Sequence, residues 1–121
     1  MKTSSAKAKG RRACQVVAQY ILSSFPSLTP KDVTVTPSGV TGVDVQLSQK
    51  AFDMFPFCIE VKNQEKLNVW AALEQAVSHR DDNETPILFF TRNRSKMYVA
   101  LEIEDFFKLY VSKKENNSSN L

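Results

Sequence analysis

An α/β fold with a mixed central β-sheet flanked by helices is predicted by three features of the sequence. Two short runs, Gly42–Leu47 and Phe57–Lys62, alternate apolar and polar residues with period two, as half-buried strands do. A third run, Pro86–Thr91, is continuously apolar, the pattern of a strand buried on both faces. Apolar residues at helical spacing precede the first pair and separate it from the third, so helices lie before and between them. The resulting α-β-β-β-α-β-β order argues for one mixed sheet with helices on its faces.

Each element has its own local reason. Residues 1–9 are rich in Lys, Ser and Ala and read as a flexible basic arm. From Gly10 to Ser24, Ala13, Val16, Val17, Tyr20, Ile21 and Phe25 form one apolar stripe beside Arg11, Arg12, Gln15 and Gln19. Asp32–Thr36 is β-branched and alternating, a first strand among Pro26, Pro30 and Pro37. After the second and third strands, the polar run Asn63–Glu65 can open a helix that continues to about His79. Its packing face would be Val69, Trp70, Leu73, Ala76 and Val77, opposite Asn68, Ala71, Gln75 and His79. Met97–Leu101 reads as a last strand. Glu102–Asp105 then opens a short helix, with acids in the first turn and packing from Phe106, Phe107, Leu109 and Tyr110. From about Ser112 the Lys/Asn/Ser tail reads as disordered, which leaves residues 10–111 as a single domain.

Composition narrows the setting. With 42% hydrophobic and 24% charged residues, the chain has the balance of a soluble globular protein. No apolar run approaches the ~20 residues of a membrane span, and no signal peptide is visible, so the expected location is intracellular: the cytoplasm, or the host cytoplasm for a viral protein. Cys14 and Cys58 lack metal-ligand spacing and, with a single histidine in the chain, suggest buried small hydrophobes rather than a zinc site or disulfide. No glycine-rich phosphate loop is present, and no small-molecule cofactor is expected. The net charge of +3 is unevenly spread: residues 1–31 carry +6 with no acid, and the remainder carries −3. A basic segment on a mildly acidic body is the electrostatic footprint of a polyanion partner, DNA above all; a merely solubilising N-terminus fits the charge equally well.

The strand parity places chemistry on the polar side. Cys58, Glu60 and Lys62 share one face of their strand, and Asp44 and Gln46 alternate against Val43, Val45 and Leu47. If residues 48–56 form a wide hairpin loop with its midpoint near Asp53, Asp44 comes to lie across from Glu60 or Lys62. Two carboxylates and an ammonium then converge. Carboxylate oxygens suit Mg²⁺, and a lysine beside them can hold an attacking water or stabilise charge at phosphorus. A solvated strand face with a cross-strand Asp–Lys pair fits the same residues.

An Asp, about fifteen residues, then Glu-x-Lys on an alternating strand followed by a helix resembles the PD-(D/E)XK nuclease superfamily. With Pro37–Asp44 ahead of the strand and a basic first helix, the resemblance over residues 9–110 is nearest to the archaeal and phage Holliday-junction resolvases. It implies a restriction-endonuclease-like core and Mg²⁺-dependent hydrolysis of DNA, with Mn²⁺ able to substitute. Asp44, Glu60 and the Val61 carbonyl would be metal ligands, Lys62 the water-orienting or charge-stabilising group, and Gln75 a polar contact to the phosphate. It also implies branched DNA as substrate and a homodimer with two active centres. Lys9, Arg11 and Arg12 are candidate DNA contacts, as are Arg92, Arg94 and Lys96 in the loop before the last strand, where keeping a tight turn solvated fits the charges equally well. Ser38 matches a resolvase loop serine, and turn chemistry accounts for it as well. Resolvases usually place a further carboxylate on the first helix, where this chain has Cys14 and Gln15. Two alternatives accordingly stand beside a resolvase: another nuclease of the superfamily (restriction, homing or repair), or a DNA-binding module without catalysis.

Overall fold

The structure, a computed structural model, describes residues 4–119. Nine elements follow in chain order: α1 (Ser4–Ser24), β1 (Val33–Val35), β2 (Val45–Leu47), α2 (Gln49–Met54), β3 (Phe57–Asn63), α3 (Val69–His79), β4 (Thr85–Thr91), β5 (Tyr98–Ala100) and α4 (Ile103–Ser119). The five strands form one sheet in the order β1-β2-β3-β4-β5. Only β3 and β4 run parallel, and the α3 crossover makes that possible. The predicted mixed sheet with flanking helices is the observed architecture.

Strand parity decides which helix covers which face. Phe57, Ile59, Val61 and Ile87 join Val33 and Val45 in a core closed by Ala13, Cys14, Val17, Ala18 and Ile21 of α1. On the other face α3 lies against β3 and β4. There Ala72 and Ala76 are buried, and the Cys58 thiol donates to the Ala76 carbonyl at 3.6 Å. Two alanines and a cysteine let that helix approach the sheet closely. Both cysteines are free and buried, as expected, and burial above all pushes each thiol up to about 12, leaving them inert.

Several boundaries differ from the expected ones. Helix α1 begins at Ser4, so residues 4–9 continue the helix instead of forming an arm; Ala and Lys are good helix formers and prolong what packing nucleates. Residues 48–56 are not an open loop. Ser48 caps α2 by accepting the Ala51 N–H at 3.1 Å, Ala51 is fully buried, and Pro56 stops the helix. Asn63 still belongs to β3, and α3 starts only at Val69, because the Asn68 side chain accepts the Ala71 N–H at 3.1 Å. The buried stripe of α3 is also turned: Ala72 and Ala76 face the sheet, while Trp70 is 79% and Val77 52% exposed.

The last helix departs furthest. Rather than ending near Tyr110, α4 runs to Ser119, through residues expected to be disordered. It has scarcely any contact with the other elements, and Phe106, Phe107, Leu109 and Tyr110 are exposed instead of packed. Residues 1–3 of the expected arm and 120–121 of the expected tail lie outside the described residues.

On the face under α3, Leu88 is fully buried. Leu88→Ala should destabilise the protein by about 2–5 kcal/mol, the usual cost of a leucine-sized cavity. Urea unfolding monitored by circular dichroism measures it, and a loss well below 1 kcal/mol would contradict this packing.

Candidate active site

Asp44 stands immediately before β2, where the chain arrives from a loop turned by Gly39 (φ +85°) and Gly42 (φ +115°). Both glycines are in the left-handed region that side chains disfavour. From there β2 meets β3 through a single register pair, Val45 with Ile59, supported by the Asp44 N–H donating to the Ile59 carbonyl at 3.1 Å. Beyond that point the strands part. The Val61 N–H, which a longer ladder would have paired, donates to Asp44 Oδ2 at 2.7 Å. The side chain completes the backbone bonding, and the carboxylate is thereby fixed against β3.

Glu60, 1% exposed, is the one buried charged residue among those described. Its Oε1 lies 3.7 Å from Lys62 Nζ and its Oε2 3.3 Å from His79 Nδ1. Burial is the main cause that raises the Glu60 carboxyl well above the usual range; the neighbouring Asp44 carboxylate adds to it, and Lys62 offsets part. Near neutral pH and without added positive charge, Glu60 therefore retains its proton.

A cavity of about 310 Å³ opens onto these groups. It brings together Asp44, Glu60, Val61, Lys62 and Gln75 with Ser38 and Arg11, and Lys7, Cys14, Asn63 and Gln64 line it too. Arg11 Nη2 donates to Ser38 Oγ at 3.4 Å, tying α1 to the glycine-bearing loop. Cys14, from α1, sits near enough to Asp44 and Glu60 for their charge to raise its thiol further. Lys9 and Arg12 lie on α1 outside this lining; of the basic residues ahead of Arg11 that the structure describes, Lys7, one helical turn before it, lines the cavity. Arg92, Arg94 and Lys96 are exposed in the β4–β5 turn and border other depressions or none. A larger cavity of about 470 Å³ carries Asp81, Asp82 and Glu84 and no base, a poor match for a polyanion.

His79 was the residue that the sequence did not nominate. It is the only histidine, late in its helix and 19 residues from Glu60, and no local pattern announces the pairing. The one available signal was its position four residues after Gln75, which puts both on one side of α3.

The donor set fits a hard divalent cation. Two carboxylates and a strand carbonyl are oxygen ligands only, and Mg²⁺ commonly takes one or two carboxylates and keeps several waters. Among the described residues no group of three or more His, Cys, Asp or Glu could cage a softer metal. None of the described helices is long and apolar enough to cross a membrane.

A family model described as "Phage putative PDDEXK endonuclease" matches residues 31–120. No curated protein and no solved structure matches the chain.

The raised Glu60 proton affinity has a definite sign. A group that holds its proton more tightly when folded contributes stability at pH values below its unfolded value, near 4.5, and loses it as pH rises through the folded value. Metal-free protein should therefore lose up to about 1.4 kcal/mol per pH unit above that point relative to Glu60→Gln, until Glu60 ionises in the fold. Denaturant unfolding of both proteins across this range checks it, and parallel stability curves would refute it.

Proposed function

The chain belongs to the phage putative PDDEXK endonuclease family, and from that membership we propose that it hydrolyses DNA phosphodiester bonds with Mg²⁺, acting on branched DNA as the Holliday-junction resolvases do. The observation that carries the reading is the convergence of Asp44, Glu60 and Lys62 on one cavity, with Glu60 buried and short of positive charge.

In this proposal Asp44, Glu60 and the Val61 carbonyl hold the cation, and Mn²⁺ can replace Mg²⁺. The bound cation supplies a Lewis acid for the phosphoryl oxygen and lowers the pKa of water. Lys62, anchored beside Glu60, orients the water or stabilises charge developing at phosphorus. Gln75 approaches the phosphate from α3. Arg11 and Ser38 hold the DNA backbone at the cavity mouth, with Lys9 and Arg12 further along α1 and Arg92, Arg94 and Lys96 beyond the sheet end. The reaction adds water across one P–O bond.

Asp44→Asn or Glu60→Gln should abolish cleavage while nearly preserving fold and DNA affinity, and Lys62→Ala should slow it on the order of 100-fold or more. The assay offers four-way junction, flap, single-stranded and linear duplex DNA, with and without Mg²⁺. Wild-type turnover in either carboxylate variant would sink the assignment. One observation favours a second reading: Cys14 stands where resolvases carry a carboxylate, beside the other two acids. DNA binding by the wild-type protein with no cleavage in Mg²⁺ or Mn²⁺ would select a binding module.

Branched DNA implies a homodimer, since two symmetric cuts need two active centres. The aromatic content suggests surplus apolar surface around Phe52, Phe55 and Phe57 and around Phe106, Phe107 and Tyr110, but Phe55 and Phe57 pack against each other within the fold, ring centroids 4.5 Å apart and tilted, with Phe25 beside them. The support comes from α4, where Ile103, Phe106, Phe107, Tyr110 and Val111 are 49–70% exposed on a helix with little else to rest on. They make one broad apolar face on the first turns of α4, opposite Glu104, Asp105 and Lys108, and an exposed apolar patch of that kind is ordinarily covered. Light scattering at micromolar concentration should give twice the 13.7 kDa chain mass, and Phe107→Asp should halve it. A strict monomer that nicks linear duplex as readily as a junction would contradict both the dimer and the substrate.

A further inference from the structure

We propose that His79 is a positioning residue, which holds the Glu60 carboxylate through Nδ1 so that its other oxygen faces Lys62 and the cavity. The inference rests on the metal-site reading above and deepens it.

Three observations carry it. The His79 Nδ1 to Glu60 Oε2 distance is 3.3 Å, and Glu60 is almost fully buried, with Lys62 at 3.7 Å and the Asp44 carboxyl as its other polar neighbours, so His79 is the partner that reaches it from α3. With a cation bound Glu60 is ionised and can only accept, so there the Nδ1–H tautomer donates. Gln75 lines the cavity and His79 does not. The imidazole therefore stands behind Glu60, away from the space where a phosphate would lie. It acts through the carboxylate and not on substrate.

The fold explains how α3 brings it there. Ala72 and Ala76 are the buried residues of α3, Ala76 taking the Cys58 thiol on its carbonyl, and their small size lets α3 lie close on β3. One turn after Gln75, His79 then reaches across to the middle of the strand. A terminal carboxylate torsion is soft, and without a partner Glu60 would sample orientations that turn its oxygens out of the site. Hydrogen-bond partners of ligating groups are typically worth 10–100-fold in metal affinity or activity.

The test uses the full chain with His79→Ala, His79→Asn and Glu60→Gln. Mn²⁺ affinity is measured by titration calorimetry without DNA, and kcat and KM in Mg²⁺ on the best-cleaved DNA. His79→Ala should weaken Mn²⁺ binding 10–100-fold and lower kcat at limiting Mg²⁺ while leaving the KM for DNA unchanged. His79→Asn, whose side-chain N–H falls near the place of Nδ1, should recover most of both. Thermal unfolding confirms that each variant is folded. Wild-type Mn²⁺ affinity in folded His79→Ala, or an asparagine variant as impaired as the alanine one, overturns the inference. If Glu60→Gln also binds Mn²⁺ normally, the metal-site reading itself has failed; if it alone loses Mn²⁺, only the role of His79 has.

Discussion

The Asp44 carboxylate makes a bond that belongs to the backbone. Where β2 leaves β3, the Val61 N–H would be stranded in a half-buried sheet, and Asp44 Oδ2 accepts it at 2.7 Å. An unpaired buried N–H costs about 1–3 kcal/mol, so the acid is held there by the fold's own demand. From this bond the rest of the arrangement follows. It brings the Asp44 carboxylate against β3, beside Glu60, and leaves the mouth between the diverging strands for Arg11 and Ser38 to frame.

The same proximity is electrostatically unfavourable. Two acids share a site with one ammonium, and a third acidic group, Cys14, is kept neutral by burial and by their field. A sequence optimised for stability alone would not bury Glu60 beside Asp44. Such local conflict, in a sheet that otherwise follows its apolar pattern, is the feature on which the proposed active site rests.

How much of this the sequence disclosed depends on how local each signal was. Period two in Val43–Leu47 and Phe57–Lys62 sets which side chains share a face, so Asp44, Glu60 and Lys62 could be grouped before any contact was known. Helix α2 was missed because it is six residues long and its start rests on one serine hydroxyl. The turn of α3 was misjudged because hydropathy counts Trp70 and Val77 as packing residues, whereas close approach to Cys58 selects alanines. Glu60 and His79 meet across an entire crossover, and α4 leaves most of its large apolar side chains exposed. Neither fact has a periodicity to betray it.

The single register pair between β2 and β3 has a mechanical consequence. Strands β3 and β4 are joined along seven residues and β1 and β2 along three, but Val45 with Ile59 is the one register pair between the two halves. Across that seam the Asp44 N–H and carboxylate, and a core that α1 closes on both sides, do the joining that a ladder would otherwise do. The sheet is least continuous along the line where the carboxylates lie, and amides on either side of it should exchange with solvent at different rates. A rod-like ligand entering the mouth would meet that seam first.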